Sequence, residues 1–296
     1  MAADPARRRL LQAAGVGAML ALPGAAALAQ PQPPREGVQV GPRSNFEALV
    51  PAAELEAQAT RGYHDMLLQA RRNRLLAEPV HPQLRRLVAI SLRLRPFAVM
   101  WNERARQWQW EVNLIGSPQI NAFCMPGGKI AFYWGILTKL KLSDDEVAMV
   151  MGHEMTHALR EHGRAQMGKQ AATRAGIGLL AGVFGWGNTG RTVAGMGGQL
   201  LSLKYSRDDE TEADLIGLEL AARAGYDPRA ALSLWRKMEG ASQGGPPAFL
   251  SDHPSNPDRL DRIAANIPRV QGLYNRAPKP EQRFGPPGSG GASGPG

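Results

Sequence analysis

Two histidines and a glutamate stand at a spacing that can bind and use a metal ion. The segment H-E-M-T-H places His153 and His157 four residues apart, with Glu154 between them. Residues four apart lie on one face of a helix, so both imidazoles can bind the same ion. A bound zinc ion lowers the pKa of its water ligand from about 15.7 toward about 7, and Glu154 can accept the proton. The motif therefore predicts a zinc hydrolase with one ion per chain.

The motif lies in a predicted helix, here called the active helix, that runs from Ser143 to Gly163. Ser143 and Glu146 have the spacing of a capping box, in which the two side chains bind free amides at the helix start. Val147 and Val150 begin an apolar stripe at helical spacing, and Gly163 predicts the end of the helix. The two histidines are therefore expected on one rigid element.

A third metal ligand has to come from outside the active helix. No Asp or Glu occurs between Glu161 and Asp208, and the acids that follow lie on a predicted helix over residues 199–224. Glu210 and Asp214 are four residues apart, so one can bind the metal while the other accepts the N–H of a ligating histidine. The spacing leaves open which of the two is the ligand. A solvated turn is the expected place of the remaining acids, Asp208, Asp209 and Glu212.

Three segments before the active helix alternate apolar and polar residues with a period of two. They cover residues 107–115, 120–125 and 129–134, separated by turns rich in Gly and Pro, and they predict a small antiparallel sheet. Helical periodicity predicts further helices over residues 52–76, 82–94 (ended by Pro96), 227–238 and 256–267. The predicted fold class is α+β and mostly helical, with the sheet directly before the active helix.

Four motifs along the chain resemble one family of metallopeptidases. H-E-M-T-H is preceded by I-N-A-F-C-M-P-G-G-K-I-A-F-Y-W-G-I-L and followed by S-R-D-D-E-T-E-A-D and D-H-P-S-N-P-D-R-L. In this order they resemble the HtpX, BepA and CAAX-prenyl-protease group of gluzincins, metallopeptidase family forty-eight. The likeness covers residues 46–268 and implies a zincin-type metalloprotease domain that holds one zinc ion.

The resemblance implies a role for each matching residue. His153, His157 and Glu210 correspond to the zinc ligands, and Glu154 corresponds to the general base. Asp214 corresponds to the carboxylate that holds a ligating histidine. The resemblance thus implies Glu210 as the ligand where spacing left the choice open.

Other positions are assigned from the same resemblance. Arg207 matches the family's Ser-Arg pair and is expected to form an ion pair with the acidic helix. His253 either donates to the oxyanion of the transition state, binds zinc as an inhibitory fourth ligand, or caps the following helix. The strand after P-G-G implies an edge for an extended substrate; its residues are Gly128, Lys129, Ile130, Ala131 and Phe132. No motif includes His64, His81 or His162, which are expected at the surface or in packing.

The first 29 residues have the layout of an export signal. Arg7-Arg8-Arg9 precede an uncharged Ala/Leu/Gly segment and Ala27-Leu28-Ala29, as in a twin-arginine signal cleaved after Ala29. An uncleaved membrane anchor is the alternative. A Pro-rich linker over residues 30–45 and a disordered Pro/Gly-rich tail over residues 269–296 are predicted beside the domain at 46–268. With Cys124 as the single cysteine, an intramolecular disulfide is excluded.

Composition limits the class of partner. The chain has 35 basic and 26 acidic side chains, but the basic residues form no long run and have no interleaved aromatic residues, which argues against nucleic-acid binding. Residues 163–207 contain no acid and predict a mobile helical flap over the cleft, with a buried helical hairpin or a membrane-touching element as alternatives. Peripheral contact with a membrane is assigned to residues 175–203.

These observations together predict an exported zinc endopeptidase of the bacterial cell envelope, located in the periplasm. Its polypeptide substrates would be unfolded or misassembled envelope proteins, hydrolysed by zinc-activated water with Glu154 as the base. One alternative is a periplasmic chaperone or assembly factor whose zinc site is closed. Another is a membrane-surface protein held by an uncleaved signal.

Overall fold

Helices packed around a small sheet give the protein the α+β class that the sequence predicts. The computed structural model describes residues 36–173, 203–242, 247–254 and 257–288. The predicted signal, the larger part of the predicted flap and nearly all of the membrane-contact segment lie outside these ranges. Within the described ranges, no helix has the length and apolar content needed to cross a membrane.

Six helices of the described chain correspond to those that periodicity predicts, with shifted ends. The α-helices of the described chain are α1 (Ala52–Arg72), α2 (Pro82–Ala98), α3 (Trp134–Lys139), α4 (Asp144–Leu159), α5 (His162–Thr173), α6 (Arg207–Arg223), α7 (Ala230–Gly240), α8 (Ala248–Asp252) and α9 (Arg259–Arg276). The six that match predicted helices are α1, α2, α4, α6, α7 and α9. Short 3-10 helices cover Asn45–Leu49 and Glu103–Arg106. The active helix is α4, and the acidic motif lies on α6.

The active helix starts at the predicted capping box but ends before Gly163. Ser143 Oγ accepts a hydrogen bond from the Glu146 amide at 3.2 Å, and Glu146 Oε2 accepts one from the Ser143 amide at 2.8 Å. α4 ends at Leu159 because Glu161 adopts a left-handed backbone conformation, with φ of 55°, and α5 then begins. Gly163 lies inside α5, so the predicted stop at this glycine is wrong.

Two prolines do not end the helices in which they lie. α2 continues past Pro96 to Ala98, since a proline in the last turn removes only one amide donor. α9 passes Pro268 and ends at Arg276, because its apolar residues remain buried against the core. The helix end predicted at Pro96 and the end predicted at Ile267 are wrong, and residues 269–276 are helical rather than disordered.

The small sheet lies where the sequence predicts it, directly before the active helix. Its strands are β1 (Glu111–Ile115), β2 (Ala122–Met125) and β3 (Lys129–Tyr133), in the order β1-β3-β2. β2 and β3 are antiparallel as predicted, whereas β1 and β3 are parallel, so the sheet is mixed. A period of two shows which residues share a face but does not show the direction in which neighbouring strands pair.

β3 is the central strand of this sheet and has no free edge. It pairs with β1 on one side and with β2 on the other, and Lys129 to Phe132 are buried. The prediction that Gly128, Lys129, Ile130, Ala131 and Phe132 offer an edge to a substrate is therefore wrong, because β1 covers that edge. The strand at the border of the sheet, packed against the active helix, is β2.

Two glycines let the active helix and the acidic helix touch backbone to backbone. A Cβ atom on Gly152 would lie 2.8 Å from the Gly217 carbonyl oxygen, and one on Gly217 would lie 2.7 Å from the His153 backbone nitrogen. Any larger residue at either position would push the helices apart. This close contact brings the acids of α6 beside the histidines of α4.

The described parts of the predicted linker and tail pack against the domain through specific contacts. The Val38 amide donates to Glu219 Oε2 on α6 at 2.7 Å. The Phe284 amide donates to Asp144 Oδ2 at the start of the active helix at 2.8 Å. The linker segment thus contacts α6 and the tail segment contacts α4, and these two helices carry the candidate site.

Candidate metal centre

Four donor side chains from three parts of the chain meet in one buried cluster. His153 and His157 come from α4, Glu210 comes from α6, and His253 directly follows α8. One donor atom of each residue lies within 4.8 Å of the donor atoms of the others. The structure therefore brings the three sequence-predicted ligands together, with His253 as a fourth donor.

The ligating nitrogens of the two α4 histidines share one small space with Glu210. His153 Nε2 and His157 Nε2 are 3.2 Å apart, and each lies 3.5 Å from a carboxylate oxygen of Glu210. His253 Nδ1 lies 3.2 Å from His153 Nε2 and 2.9 Å from Glu210 Oε1. The residue at the N-cap of α9 is Asp258, so the alternative in which His253 caps that helix is wrong.

Asp214, Arg259 and Trp235 hold His153 in place and are here called the His153 support. The Asp214 carboxylate accepts a hydrogen bond from His153 Nδ1 at 3.1 Å. Arg259 donates to both Asp214 oxygens at 2.7 and 2.8 Å and to Glu210 Oε2 at 3.1 Å, and its guanidinium lies 3.2 Å from the centre of the Trp235 ring. Burial would raise the Asp214 pKa, but the Arg259 charge and the His153 hydrogen bond hold that pKa below its usual value. Asp214 thus places the N–H of His153 on Nδ1 and leaves Nε2 for a metal.

His162, Glu212 and Arg160 form a chain behind His157 and are here called the His157 support. His157 Nδ1 lies 3.0 Å from His162 Nδ1, and His162 Nε2 lies 3.3 Å from Glu212 Oε2. Arg160 donates to the two Glu212 oxygens at 2.7 and 3.2 Å. His162 is buried and Glu212 is bound on two sides, so a surface place for His162 and a solvated turn for Glu212 are wrong. The contact depends on the left-handed turn at Glu161, which no residue spacing predicts.

Glu154 lies beside the cluster with one carboxylate oxygen free of hydrogen bonds. Its Oε1 is buried and has no hydrogen-bond partner among the described residues, and His253 Nε2 lies 3.5 Å away. Burial raises the pKa of Glu154 to about 8. A carboxyl group in this range can accept and return a proton near neutral pH.

The charges around the cluster fit a divalent cation. Glu154, Glu210 and Asp214 bring three acids into the interior, and Arg259 supplies one guanidinium among them. The Nε2 lone pairs of the two α4 histidines face the same carboxylate, an arrangement that is unfavourable unless a cation lies between them. Two imidazole nitrogens and a carboxylate oxygen are donors that suit zinc.

Arg259 is a site residue that sequence reasoning missed. It lies in the D-H-P-S-N-P-D-R-L motif, but no spacing relates it to Glu210 or Asp214. Charge balance is the signal that could have found it, since several predicted buried carboxylates require a buried cation. By contrast, the predicted Arg207 is exposed at the start of α6 and forms no ion pair with a described carboxylate, so its assigned role is wrong. Arg160 and Arg259, which lie outside this helix, form ion pairs with its acids Glu212 and Asp214.

A cavity of about 50 Å³ is lined by both the donor cluster and β2. Glu154, His157 and His253 line it on one side, and residues 121–126, which include β2, line it on another. The rest of the wall comes mainly from Leu55, Trp108, Ala158, Leu203 and Tyr205. The strand that adjoins the candidate site is therefore β2 and not β3.

Comparison with known protein families agrees with this geometry. The matching family is described as Peptidase family M48, and the match covers residues 89–267. The chain belongs to peptidase family M48. The matched segment of this M48 chain contains all four donors of the cluster. M48 metalloproteases use zinc, in agreement with the donor set.

Curated M48 relatives match about half of the chain. Mitochondrial metalloendopeptidase OMA1 of Schizosaccharomyces pombe is 36% identical over 166 residues, which are 55% of this chain and 48% of the relative. OMA1 of Arabidopsis thaliana is 39% identical over 159 residues, 53% of this chain and 32% of the relative. The beta-barrel assembly-enhancing protease of Yersinia pestis is 29% identical over 159 residues, 50% of this chain and 32% of the relative. The M48 chain therefore spans less than half the length of these three relatives.

Proposed function

We propose that this M48 chain is a zinc-dependent endopeptidase. The observation that carries the proposal is the cluster of His153, His157 and Glu210 beside Glu154, whose Oε1 has no hydrogen-bond partner among the described residues. Three protein ligands leave a coordination position for water or substrate, and a neighbouring acid can move a proton. The relatives named as metalloendopeptidases support the same class of reaction.

Glu154 moves the proton in the proposed reaction. A zinc ion bound by the cluster would polarise the scissile carbonyl and acidify a water molecule. Glu154 accepts the proton of the attacking water and returns it to the nitrogen of the leaving amine. Burial strengthens Glu154 as a proton acceptor because it raises the pKa of the carboxyl group. Asp214 keeps His153 in the tautomer that binds a cation.

The outer edge of β2 is the place where the proposed substrate would pair. The Tyr133 amide donates to the Asn121 carbonyl at 3.1 Å, so Asn121 is in a hydrogen-bonded pair with β3. In an antiparallel pair, every second residue points its backbone groups to the partner strand, and the residues between them point away. Ala122 and Cys124 therefore turn their backbone groups away from β3. The Ala122 amide donates to the Asn121 side chain at 2.8 Å. The Ala122 carbonyl and the two backbone groups of Cys124 are placed for main-chain pairing with an extended peptide. This edge favours unfolded polypeptides as substrates.

The proposed site of action is the periplasm of the bacterial cell envelope. The twin-arginine-like segment before Ala29 supports export, and cleavage after Ala29 is part of the proposal. Similarity to proteins named as a beta-barrel assembly-enhancing protease in Yersinia pestis and a putative one in Vibrio cholerae supports unfolded or misassembled envelope proteins as substrates. Contact with a membrane surface through residues 175–203 belongs to the same proposal. N-terminal sequencing of the exported protein tests the cleavage, and a retained signal would contradict it.

A second candidate function is a periplasmic chaperone or assembly factor with a closed zinc site. The position of His253 favours it, since a fourth protein donor 2.9 Å from Glu210 and 3.2 Å from His153 can take the place that water needs. The two functions separate in the Glu154→Gln variant. An endopeptidase loses its function in this variant, whereas a chaperone still holds unfolded chains.

Zinc content and digestion of an unfolded model protein by the full chain test the proposal. We expect about one zinc per parent chain, together with cleavage. Glu154→Gln should keep the metal but not cleave, and Glu210→Ala should lose the metal. Glu219→Gln is the matched control, because Glu219 is also buried on α6 but lies outside the cluster, and it should keep both properties. A parent that binds zinc but does not cleave, even as His253→Ala, would contradict the endopeptidase and favour the chaperone.

A further inference from the structure

We infer that Glu212, acting through His162, fixes the tautomer of His157 and thereby keeps its Nε2 free to bind zinc. The inference rests on the proposed zinc site, in which His157 is a ligand. Neither His162 nor Glu212 places a donor atom in the cluster of metal-binding side chains. They are therefore positioning residues, which act on the metal only through His157.

With a neutral His162, the hydrogen-bond partners of the three side chains assign one tautomer to each ring. The Glu212 carboxylate, paired with Arg160, can only accept hydrogen bonds. In a neutral His162 ring, the protonated nitrogen is therefore Nε2, which lies 3.3 Å from Glu212 Oε2. His162 Nδ1 then has a lone pair, which accepts the N–H of His157 Nδ1 at 3.0 Å. The other nitrogen of His157, Nε2, is left unprotonated, and it is the one that lies 3.2 Å from His153 Nε2.

The surroundings hold this chain of side chains in order. His162 is only 5% exposed and is the first residue of α5, directly after the left-handed turn. Tyr205 stacks on the His157 ring, with the ring centroids 3.9 Å apart. Arg160, which binds the carboxylate at the end of the chain, also donates to the Gly41 carbonyl at 2.7 Å. Rotation of either imidazole would break a hydrogen bond of this chain.

The wrong tautomer of His157 would prevent its binding to a cation. With the proton on Nε2, an N–H group would lie where the metal needs a lone pair. Loss of a side chain that orients a ligating histidine typically lowers metal affinity about 10- to 100-fold. The expected signature is therefore a change in zinc affinity in a chain that still folds.

Zinc affinity of the full chain, measured by competition with a chelating dye, tests the inference. His162→Phe removes the acceptor for the His157 N–H, and we expect zinc affinity to fall about 10- to 100-fold. His162→Gln offers an amide oxygen as a new acceptor, and we expect it to restore most of the affinity. Glu219→Gln, a change at another buried acid of α6, should bind zinc like the parent.

The outcomes separate the inference from the proposed function. If the parent binds no zinc, the proposed function itself fails. If the parent binds zinc and His162→Phe binds it equally well, or His162→Gln binds it as weakly as His162→Phe, the inference is overturned. If His162→Phe does not fold, Glu212→Leu decides the question, because leucine cannot accept a hydrogen bond from His162 Nε2. If this Glu212 variant binds zinc more weakly than Glu219→Gln does, the inference is supported. If the two variants bind zinc equally well, the inference is overturned.

Discussion

The two histidines of the active helix are held by different means, although each presents Nε2 to the same site. The His153 support is an ion pair in the interior, with side-chain exposures of 3% for Arg259 and 6% for Asp214. The His157 support passes through the ring of His162 and ends at Glu212, which is 19% exposed. Breaking a buried ion pair leaves an uncompensated charge, whereas a partly exposed charge is stabilised by water. The two supports should therefore differ in their effect on stability.

The difference follows from the position of each histidine along the active helix. His153 faces α6 and α9, whose side chains exclude water from its support. His157 lies one turn later, near the end of α4 and before the start of α5. The three residues of its support, Arg160, His162 and Glu212, line a surface groove. The two proposed histidine ligands thus have different surroundings. Arg259 neutralises the buried acids of the His153 support, whereas Glu212 in the His157 support pairs with Arg160 beside the groove.

The largest expected effect is the loss of the cation in the His153 support. Arg259→Met leaves Asp214 and Glu210 buried without their guanidinium, so we expect the free energy of unfolding of the metal-free chain to fall by about 3–5 kcal/mol. Urea denaturation measures this loss. Arg104→Met is the control, because Arg104 and its partner Glu56 are 39% and 19% exposed, and its loss should cost about 1 kcal/mol or less. If the two variants lose the same free energy of unfolding, burial does not determine how much the His153 support stabilises the fold.

Glu154 lies beside the donor cluster that the two supports hold, and its effect on stability depends on pH. Burial raises its pKa from 4.5 to about 8, so the folded chain favours the protonated carboxyl group. The stability that this group contributes is fully present below about pH 4.5 and is lost as the pH rises toward 8. Metal-free Glu154→Gln cannot ionise and should therefore be more stable than the parent near pH 8, by a few kcal/mol at most. Thermal unfolding between about pH 5 and pH 8 checks this, and a difference that does not grow with pH would contradict it.

Zinc affinity compares the two supports directly. Asp214→Asn removes the charge that binds Arg259 and fixes His153, so we expect an affinity loss of about 10- to 100-fold. Glu212→Gln should cost less, about tenfold or below, since its amide oxygen can still accept from His162 Nε2. Competition with a chelating dye gives both values. A loss in Glu212→Gln as large as that in Asp214→Asn would reverse the expected order of the supports.

The smallest expected effect is at the outer end of the His157 support. Arg160→Gln removes the cation from Glu212, but the carboxylate keeps His162 and has access to water. We expect the free energy of unfolding to fall by about 1 kcal/mol or less. Urea denaturation beside Arg259→Met makes the comparison. If Arg160→Gln lowers the free energy of unfolding as much as Arg259→Met does, both supports behave as buried ion pairs.

The sequence by itself determined the features that depend on neighbours along one helix. The capping box at Ser143 and Glu146 is present as predicted, and His153 and His157 lie on one face because a helix has a constant turn. The same constant turn places the candidate acids of α6 together. These features need no knowledge of how the rest of the chain packs.

Only the tertiary structure decided which distant elements meet. The central place of β3 depends on the parallel pairing of β1, and the role of Arg259 depends on the packing of α9 against α6. The contact of His162 with His157 depends on the left-handed backbone at Glu161. The side chains of Arg43 and Arg164 form ion pairs with the Glu161 carboxylate. Strand direction, the partners of buried charges and the exit angle of a helix are set by contacts between residues far apart in the chain. Periodicity in one sequence records which face of an element is buried, and it does not record what that face meets.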